Sequence, residues 1–194
     1  MPRWLDAVVP ISWSMAAGPL HRALRGYKDD SLEDVRREAS AGLAAVLDGF
    51  LARHEGCAAT AAGVDAFTLV TTVPGRAERN RGPLRSLVRG CPATRGRFVR
   101  ALSGEGGPVE PHRFAPGRFR ALRPVAGEAI LLIDDTWTSG ASGQSAAYAL
   151  KRAGARRVAL VVIGRHVNPG FGDQRARCAV APEFSWATCA AHRR

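Results

Sequence analysis

Two kinds of apolar pattern alternate along this chain. Phe67-Thr-Leu-Val-Thr-Thr-Val-Pro74, Ala129-Ile-Leu-Leu-Ile133 and Arg157-Val-Ala-Leu-Val-Val-Ile163 are short continuous runs. Their length and β-branched content predict strands buried on both faces of a sheet. Elsewhere the spacing is helical. Leu32, Val35, Ala39, Leu43, Val46, Leu47 and Phe50 recur every three or four residues, which predicts one apolar face on a helix from Ser31 to about His54. Asp30 or Ser31 can cap its start, with Glu33 or Asp34 in the first turn. Alanine-rich Gly56 to Gly63 reads as a soft connection.

Leu84 to Val88 suits a short helix that Cys91-Pro92 ends, and Arg97 to Leu102 suits another strand. Gln144 to Ala153 predicts a helix with Ala146, Ala147, Leu150 and Ala153 turned inward and Gly154 as C-cap. Lying between two buried runs, that helix completes a βαβ unit. The fold class is therefore α/β, a mostly parallel sheet with helices on both faces. No internal repeat or composition shift divides the chain, so one domain is expected over residues 1–194. Within it, 1–64 form a helical N-terminal part, 65–167 the core and 168–194 a small variable cap.

Composition narrows the picture. A chain of 194 residues with 46% hydrophobic and 23% charged residues suits one soluble domain with a substantial core. No apolar run is long enough to span a bilayer and no leader pattern opens the chain, so the expectation is a cytoplasmic protein without a membrane partner. Cys57, Cys91, Cys178 and Cys189 are scattered without a C-x-x-C pair, which argues against a zinc ribbon or a disulfide framework. Cys189-x-x-His192 is too sparse for a metal site. The net charge of +11 fits attraction of an anionic substrate, and nucleic acid is the minority alternative.

The chemistry concentrates where the second buried run ends. Asp134 and Asp135 follow Ile133, and Thr136 to Ser142 supplies hydroxyls, one glycine and small residues before a helix begins. Ligands of open α/β sheets bind at the carboxyl ends of strands. A small-residue turn entering a helix offers free N–H groups to a phosphate. Paired carboxylates beside it can hold sugar hydroxyls or hydrated Mg²⁺. Strand, acid pair and phosphate cradle together describe a site for a phosphorylated sugar.

The stretch Ile130-Leu-Leu-Ile-Asp-Asp-Thr-Trp-Thr-Ser-Gly-Ala-Ser142 resembles the PRPP-binding signature of type I phosphoribosyltransferases. The resemblance implies that fold, with a small hood or cap. It also implies that Asp134 and Asp135 contact the ribose hydroxyls, directly or through Mg²⁺, and that Thr138, Ser139, Gly140, Ala141 and Ser142 wrap the 5′-phosphate. The family places a pyrophosphate loop after the preceding strand, here Pro74, Gly75 and Arg76, with Arg81-Gly82 following. Leu24-Arg-Gly-Tyr27-Lys28-Asp29 and Arg113-Phe…Arg118-Phe119 resemble elements of the ComF-like branch. The four-cysteine N-terminal zinc module of that branch is missing, which argues against a metal-dependent DNA-uptake role.

Residues 103 to 117 are rich in glycine and proline, in the region where the family carries a hood that closes over PRPP. Arg113 and His112 lie in this stretch; either can reach the phosphates, or belong to a mobile surface. Arg165 and His166 follow the next strand, where the acceptor sits in this family, although a structural histidine fits equally. The resemblance implies a Mg²⁺-dependent phosphoribosyltransferase, with Asp134, Asp135 and Arg113 in catalysis, PRPP and a base-like small-molecule acceptor as partners, and a homodimer. The alternatives are a PRPP- or nucleotide-sensing module without turnover, or a competence-type DNA-handling protein on the same fold.

Overall fold

The three buried runs are adjacent strands of one parallel sheet. A computed structural model describes residues 3–75, 82–104, 110, 112–168 and 184–192. In chain order its elements are β1 (Ala7–Met15), α1 (Pro19–Asp29), α2 (Glu33–Ala61), β2 (Leu69–Thr72), α3 (Pro83–Gly90), α4 (Pro92–Arg95), β3 (Leu102–Gly104), β4 (Phe119–Ala121), β5 (Ala129–Trp137), α5 (Ala141–Arg152) and β6 (Arg157–Val167). A 3₁₀ turn, Ala190–His192, follows. The sheet order is β1-β6-β5-β2, with every pairing parallel. This is the α/β class with helices on both faces that the sequence pattern predicts.

Central strand β5 explains the layering. Side chains alternate across a strand. Ala129, Leu131 and Ile133 join the core beneath α1, α2 and α3. Ile130 and Leu132 join the core that α5 and the β3–β4 pair cover. The four residues from Ile130 to Ile133 are wholly buried, each contributing about 1.5–3 kcal/mol of apolar burial. Two packed faces pin the strand in register, so its carboxyl end delivers Asp134 and Asp135 to a fixed place.

Several features differ from the sequence reading. Ala7–Met15, given no element there, is the edge strand β1, in register with β6 from Ala7↔Ala159 to Met15↔Val167. Pro10 lacks an N–H and is confined to an edge strand, and Ser12 and Ser14 break the apolar run. Second, α2 runs on to Ala61, through the expected connection, because alanine is the strongest helix former and one glycine costs only about 1 kcal/mol. Third, the buried face of α2 begins at Leu43; Leu32 and Val35 are exposed. No side chain caps this helix, although Asp30 Oδ1 accepts the Leu32 N–H at 2.9 Å.

The predicted strand from Arg97 to Leu102 is a single parallel bridge, Val70↔Phe98, beside β2. It leads into β3, which pairs antiparallel with β4, so the glycine-rich stretch is a connection between paired strands. Residues 184–192 pack on α2: Trp186 lies against Gly49 and Arg53, and its carbonyl accepts from His54 Nε2 at 2.8 Å. The rest of the expected cap, 169–183 and 193–194, lies outside the described residues. Among the described residues no helix is long and apolar enough to cross a membrane.

Candidate functional site

At the carboxyl end of β5, two adjoining cavities open. The larger, about 490 Å³, is lined by Tyr27, Lys28, Pro74, Gly75, Asp134 and Asp135 among others. The smaller, about 140 Å³, is lined by His112 and by Thr136 through Gly143. Arg118, Asp134, Thr136 and Ser142 belong to both. A cavity of several hundred Å³ with convergent polar groups is the usual form of a small-ligand site.

The smaller cavity is built around the N-terminus of α5. Gly140 takes φ +80° at the N-cap of α5 and offers no capping side chain, while Ser139 Oγ accepts the Ala141 N–H at 3.4 Å. A Cβ at Gly140 would overlap the Trp137 ring, so both the left-handed backbone and the close approach of indole require glycine. The first N–H groups of a helix have no intrahelical acceptor, and the helix dipole adds partial positive charge there. Those groups, with the hydroxyls of Thr138, Ser139 and Ser142, line a pocket suited to a phosphate.

The acid pair has a divided environment. Consecutive residues of a strand point to opposite faces, so Asp135 follows Leu131 and Ile133 toward α1. There its carboxylate accepts the Tyr27 hydroxyl and pairs with Lys28. Asp134 follows Leu132 toward the other face, and its Oδ1 accepts the Asp135 N–H at 2.9 Å. Withdrawal from water, and then the Asp135 charge, hold the Asp134 carboxyl well above the usual carboxylate range, with Lys28, the Asp135 N–H and Arg118 opposing.

This donor set fits Mg²⁺ in one mode. Mg²⁺ is typically held by one or two carboxylates together with waters and substrate phosphates. Asp134 is a carboxyl whose ionised form is disfavoured where it stands, so a cation beside it removes an existing penalty. The adjoining smaller cavity would give a phosphate accompanying such a cation a place to sit.

Of the residues singled out from sequence, Asp134, Asp135, Pro74, Gly75 and Thr138 to Ser142 meet around these cavities. Arg76 lies outside the described residues. Arg113 lines neither cavity; it is exposed and pairs with Glu110 at 2.5 Å. Arg165 and His166 also stand aside. The Arg165 guanidinium lies 5.0 Å from the centre of the Trp13 ring, and the His166 ring centre is 5.1 Å from that of His21. Burial, and then the nearby His21, lower the His166 pKa. Sequence reasoning gave no site role to Arg118, Tyr27 or Lys28. Arg118 carried a signal, since it directly precedes the buried Phe119 that opens β4.

Protein-family models, curated proteins and solved structures were compared with the chain, and none matches.

Proposed function

We propose that the chain is a Mg²⁺-dependent phosphoribosyltransferase of the type I fold, close to the ComF-like branch. It would transfer the 5-phosphoribosyl group of PRPP to a nitrogenous, base-like acceptor and release pyrophosphate. One observation carries this reading. A single strand end brings an acid pair and a helix N-terminus to two joined cavities, the larger of which Pro74 and Gly75 also line. The 5′-phosphate would sit on Thr138 to Ser142, and the ribose hydroxyls against Asp134 and Asp135.

In the reaction, the acceptor nitrogen bonds to C1 of the ribose while the C1–oxygen bond to pyrophosphate breaks, and the electron pair leaves with pyrophosphate. Mg²⁺, when bound, neutralises charge on that leaving group. Arg118 and Gly75, which line the larger cavity, would support it from the protein side, electrostatic preorganisation being the largest contribution such a site makes. Asp135 is committed to Tyr27 and Lys28, so Asp134 is the carboxylate left to hold the cation or accept the proton that the acceptor loses. The β3–β4 connection, as a hood, would exclude water. A homodimer belongs to the same proposal.

A second reading rests on Lys28. A cation already paired with Asp135 suits a module that binds PRPP without turnover. Pyrophosphate release from PRPP and Mg²⁺ across a panel of nitrogenous bases separates the two. Release stimulated by one base supports the transferase. Binding of PRPP without release under any base leaves the sensor.

A further inference from the structure

Away from these cavities, α2 and the C-terminal segment bring three metal-ligating side chains together. His54 and Cys57 are one turn apart on α2, and Cys189 arrives from the other end of the chain. One ligand atom from each lies within 4.8 Å of the other two. The His54 Nδ1 to Cys57 Sγ distance is 3.8 Å. Tetrahedral coordination with Zn–S of about 2.3 Å and Zn–N of about 2.0–2.1 Å places such atoms about 3.6 Å apart, so the cluster needs only a small contraction.

The surroundings are prepared in the same sense. A carbonyl oxygen only accepts, so the 2.8 Å contact with Trp186 puts the proton on His54 Nε2. In the neutral ring Nδ1 then carries a bare lone pair, and it is Nδ1 that faces Cys57. A ligating histidine usually fixes its other nitrogen on a carbonyl or carboxylate in this way. The Ala191 N–H points at Cys189 Sγ at 3.4 Å, a donor that supports a thiolate. His54 and Cys189 are buried, while Cys57 is half-buried and open to entering ions.

We propose that His54 Nδ1, Cys57 Sγ and Cys189 Sγ form a three-ligand site for a borderline-soft cation of the Zn²⁺ class, fastening the C-terminal segment to α2. Two thiolates and an imidazole select such a cation over Mg²⁺, which takes oxygen donors. The fourth position falls to water or another donor. Binding releases the two thiol protons to solvent. This site is separate from the proposed PRPP site and does not depend on it.

The test is Co²⁺ titration of the reduced, metal-free, full-length chain. One equivalent is expected to produce thiolate-to-cobalt charge-transfer absorption with tetrahedral ligand-field bands, and added Zn²⁺ to abolish both. Cys57→Ser and Cys189→Ser should each lose most of the charge-transfer intensity. Cys91→Ser should keep it, because the Cys91 thiol is placed on Asp48 at 3.2 Å. If Cys189→Ser fails to fold, half-buried Cys57 carries the test. A wild-type chain without the charge-transfer band, a Cys57→Ser spectrum equal to wild type, or equal loss in Cys91→Ser would overturn the proposal.

Discussion

Lys28 and Asp135, 107 positions apart in the chain, form an ion pair in the lining of the larger cavity. The contact depends on the fold. Helix α1 follows β1 at the carboxyl edge of the sheet, and β5 ends at that same edge, so a helix residue meets a strand-end residue there. Tyr27 is buried and donates to the same carboxylate. The Asp135 side chain is only 7% exposed against 37% for Lys28, so the carboxylate depends on these partners more than the lysine does.

Replacing Lys28 by methionine should therefore cost about 1–3 kcal/mol. This is less than for a fully enclosed pair, because solvent already screens the lysine. Tyr27→Phe should cost about 1.5–3 kcal/mol, the range for a hydrogen bond to a charged group. Urea denaturation midpoints check both, and unchanged midpoints would show that Asp135 needs neither partner.

Asp134 imposes a pH dependence of definite sign. Its carboxyl is held above its unfolded value of 3.8, so the folded chain binds this proton more tightly than the unfolded chain. Stability from this group is complete below about pH 3.8 and is lost as pH rises through the raised pKa. In chelator, Asp134→Asn should gain on wild type in urea midpoint as pH rises from the ordinary carboxyl range to neutrality. A gap that is constant across that range would contradict the assignment.

Gly140→Ala should damage the cradle twice over, through its φ of +80° and through the Trp137 ring a methyl would meet. The backbone strain alone is worth about 1–3 kcal/mol. Loss of stability should come with a changed near-ultraviolet tryptophan signal. By contrast, Gly42→Ala, on α2 with open space around its Cβ position, should be stabilising by up to about 1 kcal/mol.

The two arginines of the 113–119 segment should separate. Arg118 lines both cavities, whereas Arg113 is exposed on Glu110. Arg118→Ala is expected to weaken PRPP binding about tenfold or more, the value of one charge-assisted contact, and Arg113→Ala to leave it within about twofold. Calorimetry on the two variants decides; the reverse ranking would return the role to Arg113.

The sheet centre was legible because strands buried on both faces read as continuous apolar runs, as Ile130 to Ile133 and Val158 to Ile163 do. Legible too was the place of the acid pair, since a strand end followed by small residues has few other structural uses. Edge strand β1 was not, because a strand covered on one side tolerates Pro10, Ser12 and Ser14. Nor was the approach of Tyr27 and Lys28 to Asp135, or of Cys189 to His54 and Cys57. Those contacts join residues more than a hundred positions apart, and no local periodicity records them. The short strands β3 and β4 on either side of the glycine-rich stretch were not legible either, because three residues each are too few to leave a pattern.

Whether this strand end holds PRPP is decided by isothermal titration of PRPP with Mg²⁺ into wild type and into Asp134→Asn/Asp135→Asn. Wild type should bind in the micromolar range, on the order of −8 kcal/mol, and the double variant should lose most of that heat while remaining folded. A wild-type chain that takes up no PRPP, or a double variant that binds it equally well, would contradict the assignment of this strand end to a phosphorylated sugar.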